Sequence, residues 1–184
     1  RLAKKVLKYK GDMGFAFDGD ADRVIAVDEN GKIFDGDMIL YIMAKYLSST
    51  GQLNNNEVVG TTHTNMGLQI ALKKYGIDLI RVNIGDKFVI AKMLESNISI
   101  GGEQSGHIIL KNHASTGDGI LTAIQLAAIS KKCGKRFSEM FDAMLYPQVN
   151  INIKVKDKLA ILNSEDVFAA VNKATTELGN QGRV

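Results

Sequence analysis

Tryptophan is absent from the 184 residues, and cysteine and proline each occur once, as Cys133 and Pro147. A lone cysteine excludes an intrachain disulfide framework and fits a reducing, cytoplasmic setting. A lone proline leaves most of the chain free of helix breakers and marks position 147 as a break in the pattern. No apolar run reaches the roughly 20 residues of a membrane span; the longest, residues 120–129, is short and contains Gln125. Neither charge sign dominates: 23 basic against 20 acidic side chains give +3, with no basic block and no aromatic-interleaved stripe for nucleic acid. Arg1 opens the chain in place of Met, and no signal-peptide core follows it. The expectation is therefore an internal piece of a longer cytosolic protein without membrane or nucleic-acid partners.

What is present is an ordinary globular share of hydrophobic residues, 45%, arranged in short apolar runs and amphipathic segments. The patterning predicts a helix over 2–9, a buried strand over 13–17, a strand over 24–27, and an Asn30-Gly31 turn into 32–34. Asp35 is a candidate cap for a helix over 36–48, with Ile39, Leu40, Met43 and Leu47 on one face. A strand over 57–60 follows, and then a helix capped by Asn65 that runs through Tyr75 and ends at Gly76. A strand over 79–83 and a helix over 86–95 come next. Strands at 98–100 and 107–110 flank a glycine-rich loop, ahead of helices over 119–132 and 137–145. Strands separated by helices of this length indicate βαβ units, an α/β fold with a mixed or parallel sheet over about 35–145. Beyond Pro147 the style changes. Residues 149–155 alternate apolar and polar as a half-exposed strand, Glu165 and Asp166 suit the start of a helix running to Leu178, and a turn begins at Gly179.

Two segments carry chemistry. In Phe17-Asp18-Gly19-Asp20-Ala21-Asp22-Arg23-Val24, three carboxylates at i, i+2 and i+4 follow an apolar strand. Such crowding is unfavourable unless a cation sits among them or all three face water. Gly19 and Ala21 keep the intervening positions small, so the three oxygens can converge. Oxygen donors without His or Cys favour Mg²⁺ or Mn²⁺ over Zn²⁺, and Arg23 adds a fork donor suited to phosphate. An EF-hand reading places Glu29 at its twelfth position but puts Arg23 where the turn needs glycine. A phosphatase reading takes Asp20 in Asp20-Ala-Asp22-Arg-Val24 as nucleophile and leaves Asp18 unexplained. A solvated acidic turn is the plainest alternative.

The second segment is Gly101-Gly-Glu103-Gln-Ser105-Gly-His107. Its glycines let backbone approach a ligand, and Glu103, Ser105 and His107 offer acceptors and donors suited to sugar hydroxyls. A tight turn whose polar groups satisfy one another is the alternative. Lys87, at the start of a predicted helix, could meet a phosphate together with free N–H groups, or be a solvated first-turn lysine. Asp118 in Thr116-Gly-Asp-Gly119 reads as a helix cap. His63, in Thr62-His-Thr64, reads as part of a capping loop.

Asp18-Gly-Asp-Ala-Asp-Arg23 followed by Gly102-Glu-Gln-Ser-Gly-His107 resembles the α-D-phosphohexomutase superfamily, and within it the bacterial phosphoglucosamine mutases. Asn65-Met-Gly67, Gly85-Asp-Lys-Phe88 and Thr116-Gly-Asp-Gly119 add to the likeness, which runs over essentially the whole chain. The resemblance implies a middle section of a four-domain isomerase. Residues 1–30 would end domain 2 with the metal loop, 31–147 would be domain 3 with the sugar loop, and 148–184 would open domain 4. It implies one Mg²⁺ on Asp18, Asp20 and Asp22. It gives Arg23 and His107 catalytic roles, with His107 as a candidate proton carrier, and gives Glu103, Ser105 and Lys87 contacts to a hexosamine phosphate. The reaction it implies interconverts glucosamine 6-phosphate and glucosamine 1-phosphate through a phosphoserine and a bisphosphate intermediate. The serine segment lies outside these residues, so the section alone is expected to be inactive. The other domains of the same chain would be its partners, and a homodimer of the whole enzyme is compatible with this anatomy. Lys87 stands where such enzymes often carry Arg, which keeps the charge and loses the fork.

Overall fold

The structure is a computed structural model describing residues 1–151, 153–179 and 182–184. It divides into two units, residues 1–145 and residues 146–184. The first begins with helix α1 (Leu2–Tyr9) and a three-stranded antiparallel sheet of β1 (Met13–Phe17), β2 (Val24–Asp28) and β3 (Ile33–Phe34). Phe17 pairs with Val24 and Met13 with Asp28, so residues 18–23 form the loop of the β1–β2 hairpin. Strand β1 was expected to be buried, but Phe17 is exposed. It lies at the edge of its sheet with β2 as its sole strand partner, so its outer positions meet solvent.

Helix α2 (Gly36–Ser49) starts where Asp35 accepts a hydrogen bond from the Met38 N–H at 3.1 Å. Its sequence shows one apolar face, yet every residue from Gly36 to Ala44 is buried, because α3, α5, β2, β3 and β6 surround it. Strand β4 (Glu57–Thr61) leads to α3 (Met66–Lys73), β5 (Asp78–Val82), α4 (Asp86–Glu95), β6 (Ile100–Gly102), β7 (Ile108–Leu110) and α5 (Gly119–Cys133). These strands form a sheet in the order β5-β4-β6-β7. Strand β4 runs parallel to β5 and β6, and β7 is antiparallel to β6. The loops that follow β4, β5 and β6 therefore leave the sheet at one edge, the carboxyl ends where open α/β sheets bind ligands. Helix α3 stops at Lys73, ahead of the expected Tyr75, because Tyr75 and Ile77 both donate to the Leu72 carbonyl in a tight turn through Gly76.

Residues 137–145, expected as a helix, form one 3₁₀ turn at Phe137–Glu139. The rest is drawn into tertiary contacts. Asp142 accepts from Tyr41 Oη, Lys45 Nζ and Tyr75 Oη, and a Cβ on Gly67 would overlap the Met144 carbonyl.

In the second unit, helices α6 (Lys158–Leu162), which the pattern did not suggest, and α7 (Glu165–Leu178) contain no buried residue. The strand expected over 149–155 is absent among the described residues. Val149, Ile151 and Ile153 are exposed, and no described strand pairs with them, so their N–H and C=O groups have no ladder to join. Asn152, within that span, and Asn180 and Gln181, within the expected turn after Gly179, lie outside the described residues. No helix among the described residues is long and apolar enough to cross a membrane.

Candidate active site

The hairpin loop gathers the three aspartates. Ala21 takes a left-handed φ of 59°, which folds the loop back on itself, and the Arg23 N–H donates to Asp18 Oδ1 at 3.2 Å. One carboxylate oxygen from each of Asp18, Asp20 and Asp22 lies within 4.8 Å of the others. The Arg23 guanidinium stands beside them, with Nε 3.7 Å from Asp18 Oδ2 and 3.8 Å from Asp22 Oδ1. Asp22 Oδ1 is buried without a hydrogen-bond partner. Three hard oxygen donors, on residues of which Asp22 has one buried oxygen without a hydrogen bond, fit a divalent cation of the Mg²⁺ or Mn²⁺ class. Glu29, the twelfth position of the EF-hand reading, instead accepts from the N–H and Oγ of Ser138, and strands flank the loop.

The glycine-rich segment is the β6–β7 hairpin. Its turn closes with Glu103 N–H to the His107 carbonyl and Gly106 N–H to the Glu103 carbonyl, each at 3.0 Å. Gly106 has φ +96°, and a Cβ there would overlap the Val24 carbonyl oxygen. Only glycine permits that approach. Through it the Val24 N–H reaches the Gly106 carbonyl at 3.1 Å, and Arg23 and His107 form an antiparallel bridge. His107 Nδ1 lies 3.1 Å from Asp22 Oδ2, across 85 positions of sequence. The acidic and glycine-rich loops are thus stitched into one site by backbone and side chain together.

Glu103 Oε1 accepts the Gly85 N–H at 2.9 Å, which brings the start of α4 to the same loop. Lys87, two residues on, is exposed, with Nζ 4.9 Å from the Phe88 ring centre. Ser105 sits exposed at the hairpin tip. His107 is 3% exposed, and the Gly117 N–H donates to its Nε2 at 3.2 Å. Asp118 caps α5 through the Leu121 N–H, as its spacing suggested, while Gly119 N–H donates to the Ala21 carbonyl and pins the acidic loop from behind.

Residue reasoning missed Asp37, in the first turn of α2. It is fully buried: Oδ2 accepts the Asn65 N–H at 2.8 Å, and Oδ1 has no partner. Burial pushes its carboxyl up to about 7 and nearby Asp35 adds to the rise, against the Asn65 N–H and the Arg81 charge. In sequence it reads as an ordinary acidic residue at a helix N-terminus. The neighbouring Gly36, whose N–H donates to the Gln104 carbonyl, is the nearest signal that α2 abuts the glycine-rich loop.

A phosphoglucosamine mutase of Caldanaerobacter subterraneus subsp. tengcongensis is 48% identical over 187 residues, covering 100% of this chain, which spans 42% of that relative's length. Among solved structures, a phosphoglucomutase/phosphomannomutase family protein from Burkholderia thailandensis matches with a TM-score of 0.68 and 25% identity, covering 75% of this chain and 30% of that one. An N-acetylglucosamine-phosphate mutase shares the fold at a TM-score of 0.73 and 16% identity, over 91% of this chain and 41% of that one. Residues 35–147 match the phosphoglucomutase/phosphomannomutase alpha/beta/alpha domain III, and with the two loops stitched at its edge this chain belongs to that family.

Proposed function

We propose that the chain is the middle section of a phosphoglucosamine mutase, an isomerase that interconverts glucosamine 6-phosphate and glucosamine 1-phosphate. The observation that carries the reading is the seam between the loops: a three-carboxylate cluster and a sugar-type hairpin occupy one site. In this reading residues 1–30 end one domain, 31–147 form the next and 148–184 open a further one. The remaining domains of the same polypeptide, one carrying a phosphoserine, are its partners. A homodimer of the whole enzyme and a cytoplasmic location are compatible with the single exposed thiol, Cys133.

Asp18, Asp20 and Asp22 would hold Mg²⁺, which when bound neutralises charge on a phosphoryl group in transfer. Arg23, exposed beside the cluster, offers its guanidinium fork to phosphate oxygens. Glu103 and exposed Ser105 bind sugar hydroxyls, and Lys87 meets the phosphate at the far end of the sugar. The Gly85–Glu103 bond keeps the hydroxyl-binding and phosphate-binding groups in register. The phosphoserine gives its phosphoryl group to one sugar oxygen, the bisphosphate turns over, and the serine recovers a phosphoryl group from the other end. Positioning and charge neutralisation account for most of such a reaction.

The test is turnover by the full-length protein with Mg²⁺ on glucosamine 1-phosphate, glucose 1-phosphate and mannose 1-phosphate. A large preference for the amino sugar is expected. A preference for either neutral hexose would overturn the substrate and leave the two loops as read.

A further inference from the structure

A cavity of about 240 Å³ lies between α2, α5 and the end of β7, at the opposite end of the sheet from Glu103. Leu110 fixes its place, since it pairs with Ile100 at the start of β6, whereas Glu103 follows the end of that strand. Met43, Leu47, Leu110 and Ile129 make its wall apolar, and Tyr46 adds an aromatic ring. Gln52, Asn112, His113 and Gln125 also line it, and none of these four side chains has a hydrogen-bond partner among the described residues. Ser99, by contrast, is satisfied: its hydroxyl donates to the Gln52 carbonyl at 3.1 Å and accepts the Asn54 N–H at 3.0 Å. Lys132 supplies a positive charge. Its Nζ stands 6.0 Å from the Tyr46 ring centre and pairs with no carboxylate among the described residues, and no acidic residue lines the cavity.

A void left by loose packing is lined by apolar groups and stays dry. Here three amides and an imidazole offer hydrogen-bond donors and acceptors together, and hydroxyl groups, which both donate and accept, are their complement. A cation without a carboxylate partner matches one negative charge on the guest. The Tyr46 ring and the apolar wall suit the C–H face of a saturated ring. The volume is below the roughly 300–1,000 Å³ of sites for drug-sized ligands, which leaves space for a single ring. We propose that this cavity is a binding site for a six-carbon sugar acid, with its carboxylate on Lys132, its hydroxyls on Gln52, Asn112, His113 and Gln125, and its C–H face on Tyr46. The site is separate from the acidic and glycine-rich loops and does not rest on the mutase reading.

The test uses the full-length protein, labelled with ¹³C at its methionine methyl groups, and sodium glucuronate as the probe. Met43 is buried and lines the cavity, so its methyl resonance, assigned through Met43→Leu, reports on this place and not on the glycine-rich hairpin. Glucuronate is expected to shift that resonance saturably. Glucose, which lacks the carboxylate, should bind about 10-fold more weakly, the effect of losing one charge-assisted contact. Lys132→Met is expected to bring glucuronate down to the level of glucose, and because Lys132 is exposed the replacement leaves the fold intact. Gln125→Leu, which removes one amide at nearly constant volume, should weaken both sugars alike. A Met43 resonance that glucuronate does not move would overturn the site. Equal affinity for glucuronate and glucose, or indifference to Lys132→Met, would overturn the sugar-acid assignment. A shift lost in Glu103→Ala but kept in Lys132→Met would put the probe at the glycine-rich hairpin and overturn it as well. Binding is read without turnover, so a full-length protein lacking mutase activity would sink that reading and leave this one standing.

Discussion

Residues 18–23 and residues 101–107 meet along one hydrogen-bonded seam, yet Asp18, Gly19, Asp20 and Arg23 are exposed whereas Gly101, Gly102, Gly106 and His107 are buried. The difference follows from what each loop brings. Carboxylates crowded together need water or a cation, so the acidic loop stays at the surface, and at its Gly19 a side chain would meet nothing within 4 Å. The glycine-rich loop brings backbone geometry, and its buried part fits closely against β2 and α2. A charge cluster and its scaffold are thus separated by a few ångströms, one tolerant of change and the other not.

The largest expected effect tests that tolerance directly. Gly106→Ala forces a Cβ into the Val24 carbonyl at a φ that L residues rarely adopt, and should cost about 3 kcal/mol or more in urea unfolding. Gly19→Ala meets nothing within 4 Å and should stay within about 0.5 kcal/mol of wild type. Similar losses at the two positions would break the contrast.

The next effect concerns charge. Asp37 is a carboxylate on the buried side, behind the glycine-rich loop, with its pKa raised from 3.8 to about 7. Between those values the folded protein keeps a proton that the unfolded chain releases. Stability therefore falls as pH rises from about 4 to 7 and levels off above. Asp37→Asn retains an oxygen for the Asn65 N–H and removes this slope. The variant should match wild type near pH 4 and be more stable at pH 8 by about 2 kcal/mol, below the ceiling of about 4 kcal/mol set by the gap between those two values. Thermal melts across that range check it, and a difference that ignores pH would remove the burial argument.

Much of this was legible in the sequence where the determinants are local. The caps at Asp35, Asn65 and Asp118 sit where their spacing put them, and one oxygen from each of Asp18, Asp20 and Asp22 converges as the small residues between them suggested. What could not be read depends on distant partners. Residues 137–145 have helical periodicity, but Tyr41, Lys45 and Tyr75 converge on Asp142 from other elements. The same partners, Lys45 and Tyr41 first, hold the Asp142 carboxyl down at about 2 although partial burial alone would raise it. Within the site, the type of His107 was visible and its partners were not, because Gly117 and Asp22 meet it only after folding. Asp37 looked like any first-turn acid, since nothing local says that α2 is buried all round its first turns.

The smallest effect refines the picture of the acidic loop as the tolerant partner. Ala21 is its one strained residue, left-handed at φ 59° without being glycine, and its carbonyl accepts the Gly119 N–H. The left-handed conformation costs an L residue about 1–2 kcal/mol, so something must hold it there, and the Gly119 contact behind the loop does so. Ala21→Gly removes that strain but gives the unfolded chain more freedom, for a net gain of roughly 0.5–1 kcal/mol in urea unfolding. If the strain serves to converge the three carboxylates, the more stable variant should bind Mn²⁺ less tightly than wild type, because a glycine loop samples geometries in which Asp18, Asp20 and Asp22 are apart. A variant both more stable and tighter for Mn²⁺ would show instead that Ala21 opposes the cation geometry, and that the exposed loop is tuned by something other than ligand convergence.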